Sequence, residues 1–497
     1  MMSLWDSLEP DCQTTSMRIV VTATPIDYFF LLFKPFMFAD VVRHTNNYAQ
    51  WSMDQAGRDD PRWTDTTEAE MRAYIGMHVN MGINPLPATH MYWSSNPNIG
   101  NEGMKRTMTA NRFQKLTQYI HVADRASEPA KDAPDFDALY KLRPVIDHVS
   151  DTFKDMYTPS EFVSVDEAMI PYTGRKKIKQ FMNNKPVKKG IKVWMCCDST
   201  NAYCHKFDVY LGKQARSEHG LGYRVVKDMT CELRGSNRQV FFDNFFTSVS
   251  LVESLQQDDS LYSCGTVRTN RIGFPAELKK PRDLRQRGQM RVLQKGDTPL
   301  VASVWKDCSY VHTLSTLPDS TKVVPGQRQR GAEVVPVEMP HPVAQYNRYM
   351  GGVDLHDQYR MCYEVGRNSH KWWKYLFFFM VNCAIVNAFL LYKAVSRRRT
   401  SKKRYAHLDF REELVSELIA GYTSRKRPSS AMKPKRVGNE NVPAHSLERL
   451  PWKKRRCVQC VSRGERKESV FGCAMCGVNL CKKGCHAQFH NVIGIDV

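Results

Sequence analysis

Three stretches decide the fold of this chain: Phe162–Pro171 (FVSVDEAMIP), Arg238–Ser248 (RQVFFDNFFTS) and Tyr346–Gln358 (YNRYMGGVDLHDQ). In the first two, a short run of apolar, β-prone residues ends on an aspartate, Asp166 or Asp243, where an α/β sheet presents side chains to a cleft. The third places Asp354 just after Gly351-Gly352. Three carboxylates gathered without compensating bases repel one another, and a pair of divalent cations bound through hard oxygen ligands resolves the conflict. Such a constellation performs phosphoryl transfer. Taken singly, Asp243 before Asn244 also reads as a turn former, and Asp354 as a helix cap.

At 497 residues the chain is too long for a single core, and three or four domains are expected. The formal net charge is +21, and much of it sits at the end: residues 393–497 carry 24 Lys and Arg against nine Asp and Glu. A basic surplus suits a polyphosphate partner through counterion release, although ribosomal or membrane-surface attachment fits composition equally well. No secretory signal is visible, so the chain reads as intracellular. The run Tyr375–Tyr392 (YLFFFMVNCAIVNAFLLY) is about long enough to cross a bilayer. Asn382 and Asn387 favour a buried core helix instead, because there such side chains can bond neighbouring backbone.

Residues 1–23 show no sustained period and read as a loose leader. Helical spacing dominates 24–157: Thr66-Thr67-Glu68 reads as a helix start, and Thr109 or Asn111 as the N-cap of a helix facing inward through Phe113, Leu116, Tyr119 and Ile120. From Glu161 the pattern turns to strands, at FVSVD, GIKVWMCCD, YCHKFDVYLG, QVFFD and LYSCGTVR, with LVESLQQ as a helix before the last. The order suggests a mixed sheet flanked by helices, an α/β fold. Residues 271–343 read as a β-rich insertion with strands at VLQK, PLVASVW and YVHTLST. Helical sequence resumes over 344–395, and 396–450 reads as a flexible basic linker. Its clusters, Arg397–Arg404 and Arg425–Arg436, together with Lys453–Arg456, predict nuclear accumulation through an acidic import receptor.

Between Gly174 and Lys192 lie Arg175, Lys176, Lys177, Lys179, Lys185, Lys188, Lys189 and Lys192, with no acidic residue. This is either a solvated face or, placed directly after the first aspartate strand, a holder of DNA phosphates. Arg367, His370, Lys371 and Lys374 with Trp372 and Trp373 form a second basic and aromatic cluster, in which the tryptophans read as core. Nine of the 15 cysteines are scattered and read as reduced core residues. The other six, Cys457, Cys460, Cys473, Cys476, Cys481 and Cys485, are followed by His486 and His490. Two CxxC pairs with these additional donors predict structural zinc. Eight donors suffice for two ions in an interleaved arrangement, with Cys457 and Cys460 joined by one pair from the last four and Cys473 and Cys476 by the other. The alternative is one ion with His486 and His490 unused. The module reads either as a DNA-recognition element or as a cross-braced protein-interaction module, and its approach PWKKRR favours DNA.

The blocks SVDEAMIPYTGR, NNKPVKKGIKVWMCCDS, FFDNFFTS, GTVRTNR and YNRYMGGVDLHDQYRMCYEVGRNSHKWWK resemble those of the piggyBac transposase family, in the family's order. TNNYAQW, MGINPLP, YWSS and NRFQKLTQYIHVAD match its amino-terminal region. The resemblance implies an RNase H-like catalytic domain of the DDE type, in two parts (158–270 and 344–395) around the insertion. It also implies a helical amino-terminal domain for dimerisation and DNA binding, and a cysteine-rich domain (451–497) that recognises transposon ends. Asp166, Asp243 and Asp354 are then the ligands of two Mg²⁺ or Mn²⁺ ions, and Asp357 is a further catalytic acid on the same helix face as Asp354. Arg175, Lys176, Lys177, Lys185, Lys188, Lys189, Arg367 and Lys371 are the expected DNA contacts. The implied activity is cut-and-paste DNA transposition at TTAA sites through hairpin intermediates, by a homodimer in the nucleus. A catalytically silent, host-adopted DNA-binding descendant is the alternative.

Overall fold

The computed structural model describes residues 23–176, 178–183, 187–212, 219–330, 333–396, 405–425, 445–451, 453–482 and 484–492. Residues 1–22 of the expected leader, Lys177, Lys185, the basic cluster Arg397–Arg404 and all but Arg425 of the cluster Arg425–Arg436 lie outside the described residues. The chain divides into two units, 1–425 and 426–497.

Six helices open the first unit: α1 (Pro25–Leu32), α2 (Phe36–Ala56), α3 (Glu68–Ile83), α4 (Glu102–Thr107), α5 (Ala110–Tyr119) and α6 (Arg143–Met156). Their starts are written in the sequence. The Thr67 hydroxyl accepts the Glu70 N–H and the Thr109 hydroxyl the Arg112 N–H, each at 3.3 Å, satisfying donors that the first turn cannot. Phe113, Leu116 and Tyr119 are buried, as the spacing predicts.

The sheet follows. Its first six strands are β1 (Phe162–Pro171), β2 (Lys179–Phe181), β3 (Lys189–Asp198), β4 (Cys204–Val209), β5 (Gln239–Phe242) and β6 (Tyr262–Thr266). β3 runs antiparallel to β1, β2 and β4, whereas β1, β5 and β6 run parallel to one another. Parallel neighbours need crossovers, supplied by α7 (Leu221–Met229) before β5 and α8 (Val249–Gln257) before β6. The order β4-β3-β1-β5-β6, antiparallel and then parallel, is that of the expected RNase H-like core.

The insertion is not a separate layer. After the short α9 (Ala276–Lys279), β7 (Met290–Gln294), β8 (Val301–Lys306) and β9 (Tyr310–Ser315) extend the same sheet, because β9 pairs with the otherwise open edge of β6. Only β10 (Val323–Arg330) and β11 (Glu333–Pro340) form a ribbon of their own.

α10 (His341–Tyr349), α11 (Gly352–Cys362) and α12 (Trp372–Ser396) complete the unit. α12 contains the run long and apolar enough to span a membrane, and 83% of that window is buried in the protein. Its asparagines bond backbone, as expected for a core helix. Asn387 donates to the Cys204 carbonyl (2.8 Å) and accepts the Cys204 N–H (2.9 Å). Asn382 donates to the Arg360 and Tyr363 carbonyls (2.9 and 3.2 Å) and accepts from Arg411 Nη2 (2.6 Å).

Arg411 belongs to a helix, α13 (His407–Ile419), inside the segment read as flexible linker. Phe410, Leu414 and Leu418 of this helix are buried, and it packs on α3 at Gly76, where an added Cβ would lie 3.1 Å from the Leu418 Cβ.

One contact sets the position of α11. Its first residue, Gly352, presses on β1 so closely that a Cβ would fall 2.5 Å from Ser164 Oγ and 3.1 Å from the Asp198 carbonyl oxygen. The next N–H, of Val353, donates to Ser164 Oγ at 3.2 Å. Gly352→Ala is therefore expected to destabilise the protein by about 1–3 kcal/mol through overpacking. Gly351→Ala, where a Cβ meets nothing within 4 Å, should stay within about 0.5 kcal/mol of wild type. Denaturant midpoints of the two variants check this.

Candidate functional site

The register of β1 and β5 brings two of the aspartates together. Val165 pairs with Phe242, so Asp166 and Asp243 follow at the same level on neighbouring parallel strands. Alternation places Asp166 on the face that carries Ser164, where α11 docks with Asp354 in its first turn.

Asp166 is buried, and its Oδ1 accepts the Glu167 N–H at 2.7 Å. Asp243 Oδ1 accepts the Phe245 N–H at 2.8 Å, while its carbonyl accepts the Thr247 hydroxyl at 2.8 Å, fixing a turn at the strand end. Two arginines that sequence reasoning gave no role clamp this turn. Arg268 Nε donates to Asn244 Oδ1 (3.0 Å), and Arg271 Nη2 donates to the Asn244 and Phe245 carbonyls (3.0 and 2.7 Å). They stand in the block GTVRTNR, after β6.

Asp354 is exposed and Asp357 half-buried, one helical turn apart. Asp357 Oδ1 accepts Arg360 Nη2 at 3.0 Å and Nε at 3.2 Å, so this acid is committed to a buried guanidinium that also lies over the Phe379 ring. Tyr346, on α10, senses the centre from the same side. Its phenol is pushed up to about 12, first by burial and further by the charges of Asp243 and Asp166. The donor set of the three aspartates is hard oxygen, which suits Mg²⁺ or Mn²⁺.

The expected DNA contacts separate into two kinds. Arg175, Lys176, Lys188 and Lys189 are exposed around the β2–β3 hairpin, alongside the exposed Phe181. Arg367 and Lys371, and Lys192 of the same basic stretch as the exposed four, are drawn inward. Lys192 is buried, 3.5 Å from Glu167 and stacked 3.9 Å from the Trp194 ring. Arg367 donates to the Met81 carbonyl and to Tyr92 Oη, the latter at 3.0 Å. Lys371 donates to the Gln118 carbonyl at 2.8 Å and lies over Tyr48. Arg367 and Lys371 thus tie the segment before α12 to the helical region. Trp373 is buried in the core and Trp372 packs partly against it.

The second unit is small: β12 (Glu448–Arg449), β13 (Arg455–Arg456), α14 (Val458–Val461), β14 (Glu468–Ser469), β15 (Phe471–Cys473), β16 (Val478–Asn479) and α15 (Cys485–Val492). It holds both of the groups, among the described residues, whose metal-ligating atoms all lie within 4.8 Å of one another. One is Cys457, Cys460, Cys481 and Cys485; the other is His445, Cys473, Cys476 and His490.

The interleaving is the expected one, but His445 stands where His486 was expected. Pairing of Glu448 with Gly472 and Arg449 with Phe471 brings residue 445 up to Cys473. The sequence gives no sign of this, because His445 lies 28 residues before Cys473, inside the segment read as linker. His486 Nε2 is buried without a partner among the described residues.

The spacings fit zinc. A tetrahedron with Zn–S bonds of about 2.3 Å has S···S edges of about 3.8 Å. Cys460 Sγ lies 3.8 Å from Cys481 Sγ and 3.7 Å from Cys485 Sγ. In the second group, sulfur–nitrogen separations are 3.3–3.4 Å. His490 donates its Nδ1–H to the His486 carbonyl at 2.8 Å, which fixes the tautomer and leaves Nε2 toward Cys476.

Comparison with known proteins gives this geometry a family. The family model described as transposase IS4 matches residues 24–389. Human piggyBac transposable element-derived protein 3 is 26% identical over 494 residues, covering 95% of this chain and 78% of that protein. Human piggyBac transposable element-derived protein 2 is 27% identical over 380 residues, covering 74% of this chain and 62% of that protein. Among solved structures, a cryo-EM structure of the piggyBac transposase synaptic complex with hairpin DNA superposes with a TM-score of 0.73 at 25% identity, covering 95% of this chain and 96% of that one. The chain, with its paired strand-end aspartates in an RNase H-like sheet, belongs to the piggyBac group of the IS4 transposase family.

Proposed function

We propose that this protein is a DDE-type DNA transposase that cuts and joins strands by metal-dependent phosphoryl transfer, with hairpin intermediates at TTAA sites. The observation that carries the reading is the placement of Asp166 and Asp243 at one level of adjacent parallel strands, with Asp354 docked against the same strand through Gly352. Two Mg²⁺ held by these acids would supply activation of the attacking oxygen and stabilisation of the leaving oxygen. The chain's own part is to hold the acids rigid: β1 fixes Asp166, the arginine-clamped turn fixes Asp243, and the Ser164–Val353 bond fixes α11. Asp357 anchors Arg360 and so acts on the site from behind.

Exposed cations on the β2–β3 hairpin and a net charge of +21 support double-stranded DNA as substrate, as does a structural relative captured with hairpin DNA. The second unit takes two structural Zn²⁺ and reads the DNA ends. The active form is a homodimer, and the basic clusters, including the exposed Lys453–Arg456, direct it to the nucleus through an import receptor.

Asp166→Asn, Asp243→Asn and Asp354→Asn should each lower Mg²⁺-dependent strand cleavage by about 10³-fold or more while DNA affinity stays within about threefold. A denaturing gel and a binding titration on the same samples measure both. Asp357→Asn should cleave better than these three but lose about 1–3 kcal/mol of stability, since it leaves the buried Arg360 without its anion. DNA binding with no cleavage by the wild type, using its verified cognate ends, would instead indicate a silent DNA-binding descendant.

Wild-type protein should carry two zinc ions by native mass spectrometry. His445→Ala should lose one of them and His486→Ala neither. The opposite pattern would restore His486 as the ligand.

A further inference from the structure

The described cysteines outside the zinc groups divide by environment. Cys196, Cys197, Cys264 and Cys383 are buried, and burial above all keeps their thiols protonated. Cys231 is only partly buried, and it opens a 3₁₀ turn, Cys231–Leu233, on the connection from α7 to β5. Its Sγ lies 3.1 Å from Lys206 Nζ and 3.1 Å from Glu232 Oε2. Lys206 in turn donates to both Glu232 oxygens at 2.8 Å. A thiol, an amine and a carboxylate therefore meet at one point, and none of them belongs to the aspartate centre.

The contact joins two parts of the fold that are held independently. Lys206 stands on β4, paired with Cys196 of β3. The turn is pinned by the Thr230 hydroxyl on the Val226 carbonyl (2.8 Å) and by the Leu233 N–H on the Thr230 carbonyl (2.9 Å). The Lys206 and Glu232 side chains are 20% and 34% exposed, so small solutes reach the group. Burial works against the Lys206 charge, but the bonds to Glu232 and Cys231 prevail and raise its pKa. The amine therefore becomes a nucleophile only after a proton leaves it, and Glu232 is placed to relay that proton to solvent.

We propose that Cys231 and Lys206 form a modification site at which hydrogen peroxide joins them as a sulfenamide, a reversible covalent clip between β4 and the α7–β5 connection. The sulfur first attacks the peroxide: an S–O bond forms, the O–O bond breaks, and water leaves with the thiol proton. This step oxidises the sulfur to the sulfenic acid and reduces the peroxide to water. The Lys206 amine, its extra proton passed on through Glu232, then attacks the sulfenic sulfur. An S–N bond forms, the S–O bond breaks, and the hydroxyl leaves with an amine proton as a second water, with no further oxidant used.

The neighbouring amine decides the fate of the sulfur. A sulfenic acid left alone goes on to the sulfinic acid, which thiols do not reverse, whereas one captured by nitrogen is protected and is returned to thiol and amine by added thiol, itself oxidised to a disulfide. The clip ties the outer strand β4 to the segment that leads into β5 and Asp243. It does not depend on the reading of the protein as a transposase.

Full-length, zinc-loaded protein is treated with dilute hydrogen peroxide, blocked with a thiol-alkylating reagent and digested without reductant for mass spectrometry. The peptides carrying Lys206 and Cys231 should appear joined, about 2 Da lighter than their sum, and dithiothreitol should release both unmodified. Lys206→Arg keeps a cation beside Glu232 but removes the nucleophilic amine. Its Cys231 should therefore accumulate sulfenic acid, trapped by dimedone about fivefold more than in the wild type, and then the irreversible sulfinic acid. Cys231→Ser should give no joined peptide. A joined pair that has gained an oxygen, a disulfide from Cys231 in place of the joined pair, or sulfinic acid forming equally fast in the wild type and Lys206→Arg would each overturn the proposal.

Discussion

The parallel pairing of β1 with β5 is the constraint on which the rest of the structure depends. With Val165 opposite Phe242, both strands deliver an aspartate at the same height. A slip of one residue would turn one of them to the opposite face, among the apolar side chains that cover α7 and α8. Parallel strands cannot be joined by a tight turn, so this pairing requires the crossover helices and buries Val163, Val165, Val240 and Phe242 beneath them. The antiparallel strands on one side and the insertion's strands on the other then leave β1 and β5 central, where sheet geometry is least free to vary.

The other face of the sheet receives the third acid, and the demands there are of close approach. Gly352 and Ser164 let α11 lie against β1, while α12 behind it fills the core almost completely with apolar side chains. A helix so apolar still carries two asparagines, because the ends of α11 and β4 leave backbone groups that need partners inside the protein. Charges are admitted under the same rule. Lys192 is buried against Glu167 and Trp194 on one face, and Arg360 against Asp357 and Phe379 on the other.

Most of this sheet was legible in the sequence because its strands are short β-branched and aromatic runs that end on distinctive residues. Thr67 and Thr109 marked helix starts because a cap is a local interaction. What the sequence concealed depends on contacts distant along the chain. α7 fully buries only Val225, Val226 and Met229, too few for a visible period. α13 lies between basic clusters and was read with them as linker, although Phe410, Leu414 and Leu418 pack on α3. Lys192, Arg367 and Lys371 looked like surface cations because composition carries no information about which carbonyl or ring a long side chain will meet. His445 reaches its group through a two-residue strand pairing that no motif records.

The central claim is that Asp166, Asp243 and Asp354 form one site for two divalent ions. Electron paramagnetic resonance of zinc-loaded protein titrated with Mn²⁺ in the presence of duplex DNA tests it most directly. Two ions at about 3.5–4 Å should give a spin-coupled signal. That signal should vanish on Asp243→Asn while the zinc content is unchanged. A single uncoupled Mn²⁺, or a coupled pair that survives Asp243→Asn, would contradict the account.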